Sequence, residues 1–119
     1  MKICIILSIF ISLLSTGILI SQKSETKPMN LHDYMEDHME IAEKQFKKGN
    51  KEKLEIILKR LPELAPEVDK EEWEKITTYH LEKGDLLKSC KSCHTKFKKT
   101  YKNTLRKKIL DIPVEMLVE

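Results

Sequence analysis

The sequence predicts an all-α fold, an antiparallel four-helix bundle. Two observations carry that reading. From residue 30 onward, apolar residues recur every three or four positions in four successive segments. Gly or Pro punctuates them at Gly49, Pro62, Pro66, Gly84 and Pro113. Short connections between amphipathic helices favour antiparallel neighbours. Long alternation of Val, Ile, Thr and aromatics, the mark of strands, does not occur. Charged residues make up 34% of the 119 residues, yet enough Leu, Ile and Met remain for one small core.

The first segment, "LHDYMEDHMEIAEKQFKK", begins after Asn30, a capping residue, and carries Leu31, Met35, Met39, Ala42 and Phe46 on one stripe. Gly49 is its stop signal. The second, "KEKLEIILKRLPELA", aligns Leu54, Ile57, Leu58, Leu61 and Ala65, with Asn50 as its expected cap. Pro62 should bend or end it, and Pro66 finishes it. The third, "KEEWEKITTYHLEK", follows Asp69, and Glu72 three residues on completes a capping-box pattern. Trp73, Ile76, Thr77 and His80 share one side. The fourth runs from Asp85 through "LLKSCKSCHTKFKKTYKNTLRKKIL" until Pro113 forbids continuation. Its stripe is Leu86, Cys90, Cys93, Phe97, Tyr101 and Leu105. At about 25 residues this helix should overhang the others or break late.

Three regions are expected: residues 1–21, a linker over 22–29, and the helical domain over 30–119. Lys2 followed by "ICIILSIFISLLSTGILI" reads as an export signal. The same run is about long enough to cross a bilayer core of ~30 Å. A cleaved signal peptide and a retained N-terminal anchor therefore stand as alternatives. Both place the remainder in the periplasm or another extracytoplasmic space. Cys4 lies inside this run and reads as a small apolar residue.

The chemistry concentrates in "SCKSCHTKFKKTY", where Cys90 and Cys93 are two residues apart and His94 follows. Four uses of such a pair can be weighed. Zinc wants four ligands, and although His32, His38 and His80 are available, no second CxxC or HxxxH pair exists to complete the set. A thioredoxin-like redox pair needs a strand before its helix. A disulfide across so small a loop contributes little stability. Covalent haem needs two thiols about one helical turn apart to bond its vinyl groups, and a histidine beside them for the iron. CxxCH is that attachment signature, so one covalent haem c is expected on the last helix, with His94 as an axial ligand. Phe97, Tyr101 and Trp73 are expected to pack on the haem or the core.

A CxxCH in the last of four helices resembles the class II c-type cytochromes, the cytochrome c prime family and its short low-spin relatives. "CKSCHTKFKKTY" is similar to that family's CxxCHxxYR pattern, with Phe97 at the aromatic position and Lys98 at the Arg position. "YMEDHM" resembles the first-helix stretch of relatives with a methionine near the haem, and Leu64, Ala65, Pro66 and Trp73 are also similar to those relatives. The resemblance covers about residues 30 to 113. It implies a single-haem protein that passes electrons, with homodimerisation as an open alternative.

The second axial position decides the function. A strong second ligand gives an iron that passes electrons, whereas an open side gives a five-coordinate iron that binds nitric oxide or carbon monoxide. Met35 is the expected ligand, following Tyr34 as in the relatives, with Met39 and then His38 as alternatives. A thioether raises the reduction potential relative to two histidines. His32 and His80 read as surface or structural residues. No nucleophile–base pair or paired carboxylates stand together in the sequence, so no enzyme is expected.

From Lys88 to Lys108 there are nine Lys or Arg and no Asp or Glu, in a chain of net charge +3. Such a run is a solvated face or a docking surface for an acidic redox partner, since charge steers association. Export argues against a nucleic-acid partner.

Overall fold

The computed structural model describes residues 23–119, and the expected signal or anchor over 1–21, including Cys4, lies outside them. The described chain is mostly helical, with four helices and a two-stranded sheet. Strand β1 is Thr26–Asn30. Helix α1 covers residues 31–47, as α-helical Leu31–Tyr34, a widened π turn Met35–Met39, and α-helical Glu40–Lys47. Helix α2 is Glu52–Arg60 and tightens into a 3₁₀ turn, Leu61–Leu64. Helix α3 is Lys70–Lys83. Helix α4 is Leu86–Thr100 and runs on through a second π turn, Tyr101–Leu105. Strand β2 is Ile109–Pro113, and a 3₁₀ turn, Val114–Met116, follows.

Most of the helix limits follow from local chemistry. Asn30 Oδ1 accepts from the Asp33 N–H at 2.8 Å, satisfying one of the orphan donors of the first turn. Pro62 carries no N–H for the helical ladder, so α2 ends at Arg60 and the chain turns tighter. Gly49 and Gly84 end their helices at φ of 96° and 73°, the left-handed region that disfavours a Cβ. The capping box expected at Asp69 is not formed: Asp69 makes no side-chain cap bond. Glu72 instead pairs with Lys75 and with Lys96 on α4. Charged partners attract its carboxylate more strongly than a neutral backbone N–H does.

Two expectations are corrected at the ends of the domain. The segment expected as a linker is a strand from Thr26, and the fourth helix does not continue to Pro113. β1 and β2 pair antiparallel, with Thr26 opposite Pro113 and Asn30 opposite Ile109. Pro28 is tolerated because a two-stranded sheet has only edge strands. Ile112 turns inward and is fully buried, while Ile109 and Asp111 face out. Such a ribbon is marginal alone and gains stability by lying against the helices.

The core joins all four helices to the C-terminal turn. Leu54, Ile57, Leu58 and Leu61 supply the buried stripe of α2. Tyr34 and Ala42 come from α1, Trp73 from α3, Leu86, Phe97 and Leu105 from α4, and Met116 from the terminal turn. Tyr34 donates its hydroxyl to the Met116 carbonyl at 3.0 Å, so its buried polar tip is satisfied.

Candidate functional site

The stripe of α4 forms as its spacing predicts. Leu86, Phe97 and Leu105 are buried, and Cys90, Cys93 and Tyr101 are half-buried. At about 100° per residue, Cys90, Cys93, His94, Phe97 and Tyr101 fall on one face of the helix. That face forms one wall of a cleft of about 900 Å³. Met35 and Met39 of α1, Leu58 and Leu61 from α2 and its terminal turn, and Trp73 of α3 also line it. All six residues expected at the site, Met35, Cys90, Cys93, His94, Phe97 and Tyr101, therefore meet in a single cleft. The volume lies in the range of small-molecule and cofactor pockets, roughly 300–1,000 Å³.

Both π turns lie on this cleft. In a π turn the N–H bonds five residues back rather than four, so the spacing of side chains around the helix is reset. Glu40 N–H bonds the Met35 carbonyl, and Arg106 N–H bonds the Tyr101 carbonyl. Each turn holds residues i and i+4 toward the same space: Met35 with Met39, and Tyr101 with Leu105. Met39 is the more buried of the two methionines, at 7% exposure, and Met35 is half-buried.

Cys90 and Cys93 form no disulfide. Burial raises the pKa of Cys90, and the nearby Glu43 carboxylate adds to the effect. Burial pushes Cys93 up to about 11, with Cys90 adding to the rise. At neutral pH both sulfurs keep their protons. His94 is exposed on the same wall. The Trp73 ring lies 5.8 Å from that of Phe97, tilted by 44°. Trp73 Nε1 is buried without a hydrogen-bond partner among the described residues.

Three histidines are placed outside the expected ligand role or at its margin. His38, an alternative ligand, does not line the cleft. Its Nδ1 accepts from the Val118 N–H at 2.9 Å and ties α1 to the C-terminal segment. His80 is buried beside Asp85 and Ser92. His32, read as a surface residue, stands at the rim, 3.6 Å from Glu36. Leu58 and Leu61 had core spacing as their only signal, and packing rather than spacing brings them to this cleft, where Met39, the alternative ligand to Met35, also stands.

The rim is electrostatically uneven. Glu40 and Glu43 on α1 are paired with Lys44 and Lys47, and the Lys44 ammonium lowers the pKa of Glu40. Lys91 and Lys98 on α4 line the cleft with no carboxylate within 4 Å among the described residues. Among the described residues no three His, Cys, Asp or Glu side chains converge as a metal-holding cluster, and none of their helices is long and apolar enough to cross a membrane. No known protein family, curated protein or solved structure matches the chain.

The residues fit a flat, largely apolar, covalently held macrocycle. Two protonated thiols and an exposed imidazole share one wall, a thioether stands on another, and aromatic rings line the space between.

Proposed function

We propose that this chain carries one haem c in the cleft and passes electrons between partner proteins. Cys90 and Cys93 would hold the group through thioether bonds, and His94 and Met35 would ligate its iron. In this reading α1–α4 close around it as an antiparallel four-helix bundle of class II type. The observation that carries the proposal is the convergence of Cys90, Cys93 and His94 on α4 with Met35 on α1 in one cleft. When bound, the iron supplies reversible one-electron chemistry. The chain's own contribution is to hold the group, keep water from it with Phe97, Trp73 and Tyr101, and tune its potential through the axial ligands.

The same reading places the domain outside the cytoplasm, behind a signal or anchor at residues 1–21. It assigns an acidic redox partner to the unpaired lysines beside the cleft, because complementary charge raises association rates. A homodimer, as in relatives of the resembled class, is the oligomeric alternative to a monomer.

The test is expression in a host with a haem c maturation system. The purified protein should keep its haem through acid–organic extraction and show the mass of the chain plus one haem. Haem that extracts freely overturns the proposal. A reduced spectrum that shifts at once on adding carbon monoxide would replace electron transfer with gas binding.

A further inference from the structure

Behind the cysteine-bearing turn, three polar side chains form a chain of hydrogen bonds. His80 Nδ1 lies 2.7 Å from Asp85 Oδ1, and His80 Nε2 lies 3.2 Å from Ser92 Oγ. A carboxylate only accepts, so Nδ1 carries the proton, and in the neutral ring Nε2 accepts from the Ser92 hydroxyl. Ser92 is one of the two residues enclosed by Cys90 and Cys93. It stands about 200° around α4 from Cys90 and faces α3, whereas the cysteines face the cleft.

We propose that Asp85, His80 and Ser92 are a positioning device for the Cys90–His94 turn. They fix the rotation of α4 about its own axis and so the direction in which Cys90, Cys93 and His94 face. The inference deepens the haem reading and rests on it. His80 is 9% exposed, so its bonds are little weakened by water. Asp85 sits at the start of α4 and Ser92 two turns along it, so His80 grips the helix at two heights. The two contacts act together with the buried Leu86 and Phe97 and with the Lys96–Glu72 pair, which hold α4 on its other sides.

The same three residue types build hydrolytic triads. Here the surroundings favour positioning. Ser92 lies well inside α4, where backbone N–H groups are engaged in the helical ladder and none is free to stabilise an oxyanion. None of the three residues lines the cleft.

The experiment compares Ser92→Ala, Ser92→Thr and the unmodified full chain, with and without haem. Without haem, Ser92→Ala should keep the circular dichroism of the parent while amide hydrogen exchange over residues 90–94 accelerates by about tenfold. With haem, the electron paramagnetic resonance signal of the iron should shift, because that signal reports the orientation of His94. Ser92→Thr keeps a hydroxyl and should restore both. Unchanged exchange in Ser92→Ala overturns the inference, whether or not the unmodified chain holds haem covalently. Covalent labelling of Ser92 by a fluorophosphonate overturns it in favour of a nucleophile. A parent chain without covalent haem defeats the proposed function instead, and the exchange measurement still decides the positioning role.

Discussion

Lys96 on α4 is tied to Glu72 on α3, so one of the most prominent charges of the basic helix is already engaged within the molecule. Lys75 shares the same carboxylate, and together the two ammonium groups lower its pKa. Lys88 is similarly paired with Asp85, at 3.2 Å. The charges left for a partner are therefore those without such a carboxylate, among them Lys91 and Lys98 at the cleft and Lys102 one turn beyond. Changing these three to Glu should slow electron exchange with an acidic partner at low salt and weaken its salt dependence. Changing Lys88 and Lys96 should do less. Stopped-flow rates across ionic strength decide between them, since at ~0.15 M the screening length is ~8 Å and only charges near the contact act.

The two methionines should separate ligation from packing. Met35→Ala should turn a low-spin haem spectrum high-spin, lower the reduction potential and open the iron to carbon monoxide. Met39→Ala should cost stability instead, about 2–5 kcal/mol for a buried methionine, and leave the spin state alone. Absorption spectra with parallel urea titrations check both. A reversal of the two outcomes moves the ligand to Met39 and leaves the cleft assignment standing.

Thiol ionisation gives a prediction for the haem-free chain. Cys93, pushed up to about 11 by burial, should hold a thiolate fraction at pH 8 some ~10²-fold below that of a free cysteine. Alkylation by iodoacetamide, followed by mass spectrometry, should be slowed accordingly in the native state and not in urea. The linkage sign follows from the raised value. The stability that Cys93 contributes is complete below the unfolded thiol pKa near 8.5 and is lost as pH rises from there toward 11. Burial raises Tyr34 as well, which adds to the loss at the alkaline extreme.

The acid limb runs the other way. Asp85 is lowered chiefly by its hydrogen bond with His80, and Glu115 is lowered by backbone N–H and by Ser24 and Arg60. Depressed carboxylates contribute stability that is present above their ordinary pKa near 4 and is lost as pH falls through their folded values. Asp85→Asn should therefore flatten the acid side of a stability–pH curve, read by thermal melts between pH 2 and pH 6.

Tyr34→Phe should loosen the C-terminal turn. It removes the bond to the Met116 carbonyl and leaves that buried acceptor unpaired, at a cost of about 1–3 kcal/mol. Limited proteolysis after Met116 should speed up while the helical signal stays near that of the parent.

Local order was legible in the residues themselves. α3 runs from Lys70 to Lys83 as its pattern and Gly84 imply, because apolar spacing, caps and glycine act within one or two turns. The face shared by Cys90, Cys93, His94, Phe97 and Tyr101 was legible for the same reason, since 3.6 residues per turn settles which side chains stand together on a helix. The capping box at Asp69 was misread because the Asp69 N–H already donates to the Pro66 carbonyl, at 2.9 Å, and Lys96, 24 residues beyond Glu72, takes that carboxylate.

Long-range placement depended on how the helices cross. Thr26–Asn30 carries no strand-like alternation, and becomes a strand only because Ile109–Pro113 comes to lie beside it. Met35 and Met39 share a cleft with the cysteines because α1 and α4 border the same space from opposite sides of the fold. Ser92 meets His80 because the hairpin at Gly84 folds α4 back along α3. Each of these pairings joins residues whose separation in the chain carries no periodic signal. They arise from burying four apolar stripes at once, a condition that belongs to the whole chain and to no single segment.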